Sequence, residues 1–304
     1  MNRGGCGGSS AAPAYAAAID RANVAHPCPS CGGGADRVLY IHRGRIVACR
    51  KCGLVRRDPI PTSDALLKIY RADDYFQLSG DTGIGYRDYF ADAPVYRPYF
   101  RRKFEILRRY IAPPGALLEL GAGAGFALEA ARDAGWQAHG LELSGAAVTW
   151  GREKLGVDIA SGGFDDLSDA EHWDVIAAFQ TIEHLPNVRD ALGRIRRALR
   201  PGGVVFLTTP DHGSLNRRLL RRFWPSYRPE HLLYFDLRSL RRLLEEEGYR
   251  VEFIAPDDPL LVPIHRLLER AAHYYIRRRV EPPAIPWFRV PVPLGDMQTI
   301  ARKT

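Results

Sequence analysis

The chain lacks any apolar run near the ~20 residues that a membrane-spanning helix needs. Its opening stretch, MNRGGCGGSSAAPAYAAA, also lacks the continuous apolar core of a signal peptide. Residues 1–25 therefore read as a disordered Gly/Ala/Ser-rich leader, and the expected location is cytoplasmic. No internal repeat is present, and cysteine is scarce, with five residues in 304. The 46% hydrophobic content suffices for one large α/β domain with a small appendage. A net charge of +8 comes from scattered arginines, among them Arg196-Arg197, Arg217-Arg218, Arg221-Arg222 and Arg277 to Arg279. Such a surplus fits solvated helix faces, or an anionic partner such as nucleic acid, a nucleotide sugar or a membrane surface. Charge alone does not choose among them.

The most informative stretch is LLELGAGAGFALEAARDAGWQAHGLELS, residues 117 to 144. Ala116 to Leu120 has the length and composition of a buried strand, Phe126 to Ala134 reads as a helix, and Gln137 to Leu141 as a second strand. Gly121, Gly123 and Gly125 lie at the strand-to-helix turn, where bare backbone and a helix N-terminus can meet a ligand. Glu142, 23 residues after Glu119, can accept hydrogen bonds from both hydroxyls of a ribose. These features fit a dinucleotide or S-adenosylmethionine equally. Two others separate them. Phe126 stands where the dinucleotide fingerprint has its third glycine. Glu119 would repel a pyrophosphate but suits the ammonium of a methionine moiety.

Four of the cysteines form two pairs, Cys28/Cys31 in CPSC and Cys49/Cys52 in CRKC, with 17 residues between them. A glycine follows each pair, and RVLYIHRGRIVA supplies a short hairpin turning near Arg43-Gly44. This spacing predicts a zinc ribbon over 26–60 whose Zn2+ is structural, because four thiolates leave no open coordination position. Two disulfides are the alternative, disfavoured in a cytoplasmic protein.

Downstream, 61–112 reads as a helical and aromatic segment. Tyr96, Tyr99, Phe100, Phe104, Leu107 and Ile111 form a core-facing stripe, and Tyr75, Tyr86 and Tyr89 are candidates for a lid. Residues 113–304 alternate β and α. Ser144 caps a helix to about Leu155, VDIA and WDVIAAF are strands, and a helix stopped by glycine leads into VVFLTTPD. FDLRSLRRLLEEEGY is a further helix, and RVEFIA and DMQTIARK are the last two strands. This predicts a doubly wound sheet with Glu119, Glu142, Asp165, Gln180 and Asp211 at the carboxyl ends of its strands.

The segments LELGAGAG, DVIAAFQTIEHLPN, LRPGGVVFLTTP and RPEHLLYFDLRSLRRLLEEEGY together resemble class I S-adenosylmethionine-dependent methyltransferases of the small-molecule branch. The cysteine pairs, CGLV and GYRDY resemble the members of that branch with an N-terminal zinc ribbon. The resemblance implies a Rossmann-like seven-stranded sheet of order 3-2-1-4-5-7-6 with strand seven antiparallel. It implies S-adenosyl-L-methionine held by Glu119, Gly121, Gly123, Gly125, Glu142, Leu143, Asp165 and Gln180, with Asp165 (or Asp166) on the adenine amine. His231 and His184 fall on the substrate side; His231 is the preferred base, and His184 is assigned to shaping the cofactor pocket. The implied acceptor is a small molecule, a sugar, a polysaccharide precursor or a natural product, methylated at oxygen; a lipid-linked acceptor is the expectation drawn from the insertion 260–290. An RNA methyltransferase and a non-catalytic cofactor-binding scaffold are the rivals. The absence of an N/D-P-P-Y/F motif and of any RNA-binding signature argues against nucleic acid. The insertion 260–290 carries Leu260, Ile264, Leu267, Leu268, Ala271, Tyr275 and Ile276 at helical spacing beside Arg266, Arg270 and Arg277 to Arg279. It is expected to be a lid, a dimer contact or a peripheral membrane contact.

Overall fold

The computed structural model describes residues 27–41, 44–61, 66–67, 70, 89–168, 170–271 and 288–304. The leader, Arg43, Tyr75, Tyr86, and Tyr275 through Arg279 lie outside the described residues.

Three N-terminal strands, β1 (Asp36–Ile41), β2 (Arg45–Cys49) and β3 (Val55–Asp58), form an antiparallel meander. The main sheet is built from β4 (Ala116–Leu120), β5 (Gln137–Glu142), β6 (Asp158–Ser161), β7 (Trp173–Phe179) and β8 (Leu199–Pro210). The short strand β9 (Leu233–Tyr234) lies apart from it, and β10 (Tyr249–Pro256) returns to its edge. Strands β11 (Leu260–Pro263) and β12 (Arg289–Val292) pair only with each other, and β13 (Asp296–Lys303) completes the sheet. The order is β6-β5-β4-β7-β8-β13-β10, with β13 antiparallel to both neighbours. Counted within the sheet this is 3-2-1-4-5-7-6, the arrangement expected from the sequence.

The central strands are buried on both faces, which is why ALLEL and VIAAF read as apolar runs rather than as alternations. Alternate residues divide between two cores. Leu118, Leu120, Ile176, Ala178, Val205 and Leu207 pack with the helices Val188–Ala198 and Leu237–Glu246. Leu117, Val175, Ala177 and Phe206 pack with the helices Ala93–Leu107 and Phe126–Asp133. Glu119 shares the side of Leu117 and stands between Gly140 on β5 and Ala177 on β7.

Two local expectations are corrected. The helix Val188–Ala198 is not stopped by glycine, since Leu199 already pairs with Trp173 and the chain enters β8 directly. A register shift follows, and a Cβ on Gly203 would lie 3.0–3.1 Å from three backbone oxygens, so glycine there serves a close strand approach. Leu260, expected to open a helix, lies instead on β11 and packs with Val262 against Val95; the helix spans Ile264–Ala271. Tertiary pairing with β12 overrides the helical spacing there.

The meander does not end at β3. Val55 pairs with Tyr234 and Arg56 with Leu233, so β9 becomes the fourth strand of that sheet. The buried Arg56 forks onto Asp36 with two bonds of 2.8 Å, and Arg57 donates to the Arg228 carbonyl at 2.9 Å. Among the described residues no helix is long and apolar enough to cross a membrane.

The helix Leu237–Glu246 starts with a reciprocal cap. Asp236 Oδ1 accepts from the Ser239 N–H at 2.7 Å, and Ser239 Oγ accepts from the Asp236 N–H at 2.9 Å. Replacing Asp236 by alanine is expected to cost about 1 kcal/mol, lowering Tm by roughly 2–4 °C. Thermal melting followed by circular dichroism measures it; an unchanged Tm would show that the cap contributes nothing.

Candidate active site

The glycine turn after β4 is forced by space as well as by backbone angle. Gly121, Gly123 and Gly125 all have positive φ (73°, 53° and 83°). A Cβ on Gly121 would lie 2.8 Å from Thr181 Oγ1, and one on Gly125 would lie 2.7 Å from Val157. On Gly123 it would meet only the Tyr89 ring, at 3.3 Å. Tyr89 packs on Phe126 and Tyr96, so of the three lid candidates the described one stands directly over the turn. The N–H groups of Gly121 and Ala122 donate to the Leu141 carbonyl, tying the turn to β5.

Two carboxylates flank this turn by different means. Glu142 is buried, yet its Oε2 accepts from the Gly123 N–H at 2.8 Å and its Oε1 from the Ser144 N–H at 2.9 Å. Burial raises its pKa, and the backbone donors of Ser144, Gly123 and Leu143 oppose the rise. Each oxygen keeps a lone pair for another donor. Glu119 is also buried, but its Oε2 has no hydrogen-bond partner. Burial first, then the charge of Glu142, holds its pKa well above the carboxylate range. An unpaired buried carboxyl beside a ligand-sized turn fits a cationic group, which would supply the missing partner.

Gln180, the residue after β7, has φ +51°, a region non-glycine side chains seldom occupy. Its N–H donates to the Thr208 carbonyl at 2.8 Å, and its buried Nε2 has no partner. Leu143 is half-buried and faces the loop after β6, where a Cβ on Gly163 would lie 3.3 Å from it. Asp165 in that loop is 93% exposed, 3.7 Å from Arg194, whereas Asp166 accepts from the Gly163 N–H. The structure thus brings Glu119, the three glycines and Glu142 to one turn, with Leu143 and Gln180 just beyond the ends of β5 and β7; Asp165 lies on the loop after β6, beside Arg194.

His184 and His231 stand together, although 47 positions separate them in sequence. Their rings lie 4.8 Å apart and nearly perpendicular. His184 Nδ1 is 2.8 Å from the Tyr70 hydroxyl and 2.9 Å from the Glu230 carbonyl. Burial, with Arg228 adding to it, lowers the His184 pKa to about 4 despite hydrogen bonds to backbone. Burial and the neighbouring His184 hold His231 well below the usual histidine range, and its Nδ1 has no partner. Both rings are therefore neutral at pH 7, and the same burial opposes their protonation. Glu183 joins them, with one ligand atom from each of the three side chains lying within 4.8 Å of the others. Its Oε2 accepts from the Thr209 hydroxyl at 2.9 Å, while Oε1 is buried and unpartnered.

Sequence reasoning missed Glu183, Tyr70 and Glu230. Glu183 and Glu230 each directly precede one of the two histidines, a repeated Glu-His step that could have flagged both. Tyr99, assigned to the apolar stripe, donates its hydroxyl to Asp257, which also pairs with the fully buried Lys103. Asp296 lies near them, its pKa raised to about 7 by burial and by Asp257.

The four ribbon cysteines converge. Cys28 and Cys52 sulfurs are 3.5 Å apart, those of Cys31 and Cys49 3.6 Å, and all four lie within 4.8 Å of one another as free thiols. Gly32 (φ 66°) and Gly53 (φ 78°) bend each knuckle so that its amide donates to the carbonyl of Cys28 or Cys49. Burial raises Cys28 and Cys31. Burial also works against Cys49, but the amides of Cys52 and Lys51 bring it down to about 7. Sulfur separations of this size match the ~3.8 Å edge of a tetrahedral ZnS4 centre with ~2.3 Å bonds.

Burial raises Glu183 from 4.5 to about 8. Between those values the unfolded chain has lost the proton that the folded chain keeps, so the contribution of Glu183 is full below about pH 4.5 and disappears as pH rises through about 8. Glu183→Gln should flatten this fall and be more stable than the parent at pH 8 by on the order of 1 kcal/mol or more. Urea unfolding across pH 5 to 9 tests it, and parallel curves for the two proteins would contradict the protonated assignment.

Comparison with known proteins joins this geometry to a family. A family model described as a methyltransferase domain matches residues 95–252, just over half of the chain. A Mycolicibacterium smegmatis protein named "Probable S-adenosylmethionine-dependent methyltransferase" is 32% identical over 160 residues, covering 51% of this chain and 60% of that protein. A ubiquinone biosynthesis O-methyltransferase of Bradyrhizobium is 28% identical over 116 residues, 36% of this chain and 42% of the relative. The C-methyltransferase NovU of Streptomyces niveus is 24% identical over 213 residues, 68% of this chain and 46% of the relative. The chain thus spans less than two thirds of the length of each. The matched family region begins in the helix that carries Tyr96 and Tyr99, runs through the glycine turn and both histidines, and ends within β10. On that match the chain belongs to the methyltransferase-domain family.

Proposed function

We propose that this protein is an S-adenosylmethionine-dependent methyltransferase acting on a small-molecule acceptor, with the methyl group transferred to oxygen on a sugar or natural-product framework. The observation that carries the reading is the buried, unpartnered Oε2 of Glu119 beside the glycine turn. A cofactor with an ammonium group relieves that burial, whereas a dinucleotide would bring a pyrophosphate against it. Glu142 supports the reading because it is already oriented by two backbone N–H groups and retains acceptor capacity for two ribose hydroxyls. Family membership supports methyl transfer. The relatives' names include both an O- and a C-methyltransferase, so oxygen as the acceptor atom is our choice from the neutral histidines rather than from relatedness.

When bound, S-adenosylmethionine supplies a methyl group on a good sulfonium leaving group, so the residues have three tasks: to orient, to exclude water and to remove a proton. Glu119, Gly121, Gly123, Gly125, Glu142, Leu143 and Gln180 would hold the cofactor, with Asp165 closing on its adenine side. Tyr89 covers the turn and keeps water from it. His231, whose Nδ1 has no partner, takes the acceptor proton. His184 supports it through edge contact, itself tied to Tyr70 and Glu230. Drawing the hydroxyl proton to His231 Nδ1 would leave the acceptor oxygen as the nucleophile for the methyl group that the bound cofactor would supply, the methyl–sulfur bond breaking as the methyl–oxygen bond forms.

The ribbon would hold one structural Zn2+ through Cys28, Cys31, Cys49 and Cys52. Its effect on the reaction is indirect: β3 pairs with β9, and β9 lies two residues beyond His231.

Calorimetry with S-adenosylhomocysteine and NAD, side by side, tests the cofactor. Binding of the first and not the second is expected, and Glu142→Ala should weaken it roughly tenfold to several hundredfold, since a hydrogen bond to a charged group contributes ~1.5–3 kcal/mol. Unchanged affinity in that variant would refute the ribose assignment. Metal analysis should find one zinc per chain, and a chelated protein should still bind S-adenosylhomocysteine. Loss of that binding while the main sheet stays folded would instead make the ribbon part of the cofactor site.

A further inference from the structure

Between Asp211 and Glu230 the chain carries no acid and five arginines, in HGSLNRRLLRRFWPSYRP. The methyl-transfer reading uses none of the stretch from Leu215 to Phe223. It holds the helix Leu215–Leu220 and the turn Arg221–Phe223, joined at Arg221 in the left-handed region with φ +49°. Its apolar side chains point outward: Leu215 is 68% exposed, Leu219 72%, Leu220 41% and Phe223 59%. Arg217, Arg218, Arg221 and Arg222 alternate with them, and none of the four forms an ion pair among the described residues. The segment is nonetheless anchored. Trp224 and Tyr227 just beyond it are buried against Tyr234, and the Tyr227 hydroxyl lies 2.9 Å from His212 Nε2.

The neighbourhood extends the same character. Arg217 lines a cavity of about 490 Å3 with Arg37, Arg50, Tyr40 and His212, and no carboxylate lines it. From the ribbon, Val38 and Ile41 are exposed on β1, the strand that carries Arg37 and Tyr40. On the other side Asn216 donates to the Pro293 carbonyl at 2.6 Å, next to the exposed Leu294. Every exposed large apolar side chain among the described residues belongs to β1, to this segment or to residues 261–294, and none to the strands of the main sheet.

We infer that Leu215–Phe223, with the adjoining arginines of the ribbon cavity, is a docking surface for a bilayer containing anionic phospholipid. Outward leucines and a phenylalanine interleaved with arginines meet both requirements of such an interface: apolar groups for the acyl boundary and cations for the phosphate headgroups. A nucleic acid would use the arginines but leave the leucines in water. A protein partner would cover the leucines but would need matched carboxylates for four arginines. Contact through 260–290, expected from the sequence, is a separate surface on which this inference does not rest. The inference stands apart from the methyl-transfer reading, though docking here would set a lipid-linked acceptor near the segment that carries His231.

Co-sedimentation of the full chain with phosphatidylcholine vesicles, with and without phosphatidylglycerol, tests this. The parent should bind the anionic vesicles about tenfold or more above the neutral ones, and added salt should weaken that binding. Leu219→Ser/Phe223→Ser and Arg218→Glu/Arg222→Glu should each reduce it by about tenfold or more. Both altered proteins should keep the parent's Tm and its affinity for S-adenosylhomocysteine, which separates this result from a failure of the cofactor assignment. No binding to anionic vesicles, equal binding to both kinds, or full binding by the altered proteins would overturn the inference and leave the face to a protein partner.

Discussion

Burial of carboxyl groups at the carboxyl ends of the parallel strands is the constraint on which the rest of this molecule turns. Glu119, Glu142 and Glu183 all lie in low dielectric, where an ionised carboxylate without partners costs several kcal/mol. The chain meets that cost in three ways. Glu142 is stabilised by two amides, one from each side of the strand end, so the glycine turn and the helix starting at Gly145 are built round it. Glu183 keeps its proton and holds one threonine hydroxyl. Glu119 is left with an oxygen unpaired. Such a group in a central strand costs stability as it stands, and a bound cation would complete it.

The second constraint couples the two modules. A cysteine-ligated knuckle could have been a tethered appendage, but its sheet takes a strand from the methyltransferase domain. Arg57 reinforces this, donating its amide to Leu232 and its guanidinium to Arg228, so its contacts bracket Glu230 and His231. Arg242 donates to the Cys52 carbonyl from the opposite side. Displacing the ribbon would release the backbone that carries the preferred base, while the glycine turn, held by β4 and β5, would keep its bonds. A metal held by the four cysteines would thereby be linked to His231 through paired backbone, without touching it.

Local signals were legible where one residue type answers one physical demand. Glycines at 121, 123 and 125 announced the turn because all three take positive φ and a Cβ would clash at 121 and 125, and the mostly apolar ALLEL announced a strand buried on both faces. The paired cysteines likewise announced their cluster. What sequence could not reach was partnership across distance. Nothing local tells that His184 lies against His231, that Val55 pairs with Tyr234, or that Tyr99 leaves its apolar stripe to bond Asp257. Helical spacing misled at Leu260, where a strand partner at Val292 outweighed the period. It misled again after Ala198, where the helix stopped because Leu199 was already claimed by Trp173.

The residues directly after β7 join the two halves of the site. Gln180 adopts its unfavourable left-handed backbone because its N–H is held by Thr208 on β8. That twist sends Thr181 back toward β4, where its hydroxyl bonds the Leu120 carbonyl and its side chain fills the space a Cβ on Gly121 would need. The same twist starts the short turn Ile182–His184, which delivers Glu183 to Thr209 and His184 to His231. One strained residue therefore sets both the shape of the glycine turn and the placement of the histidine pair. Relaxing it would disturb the glycine turn and the histidine pair together, and under the proposed methyl transfer these two must hold one fixed relation to each other.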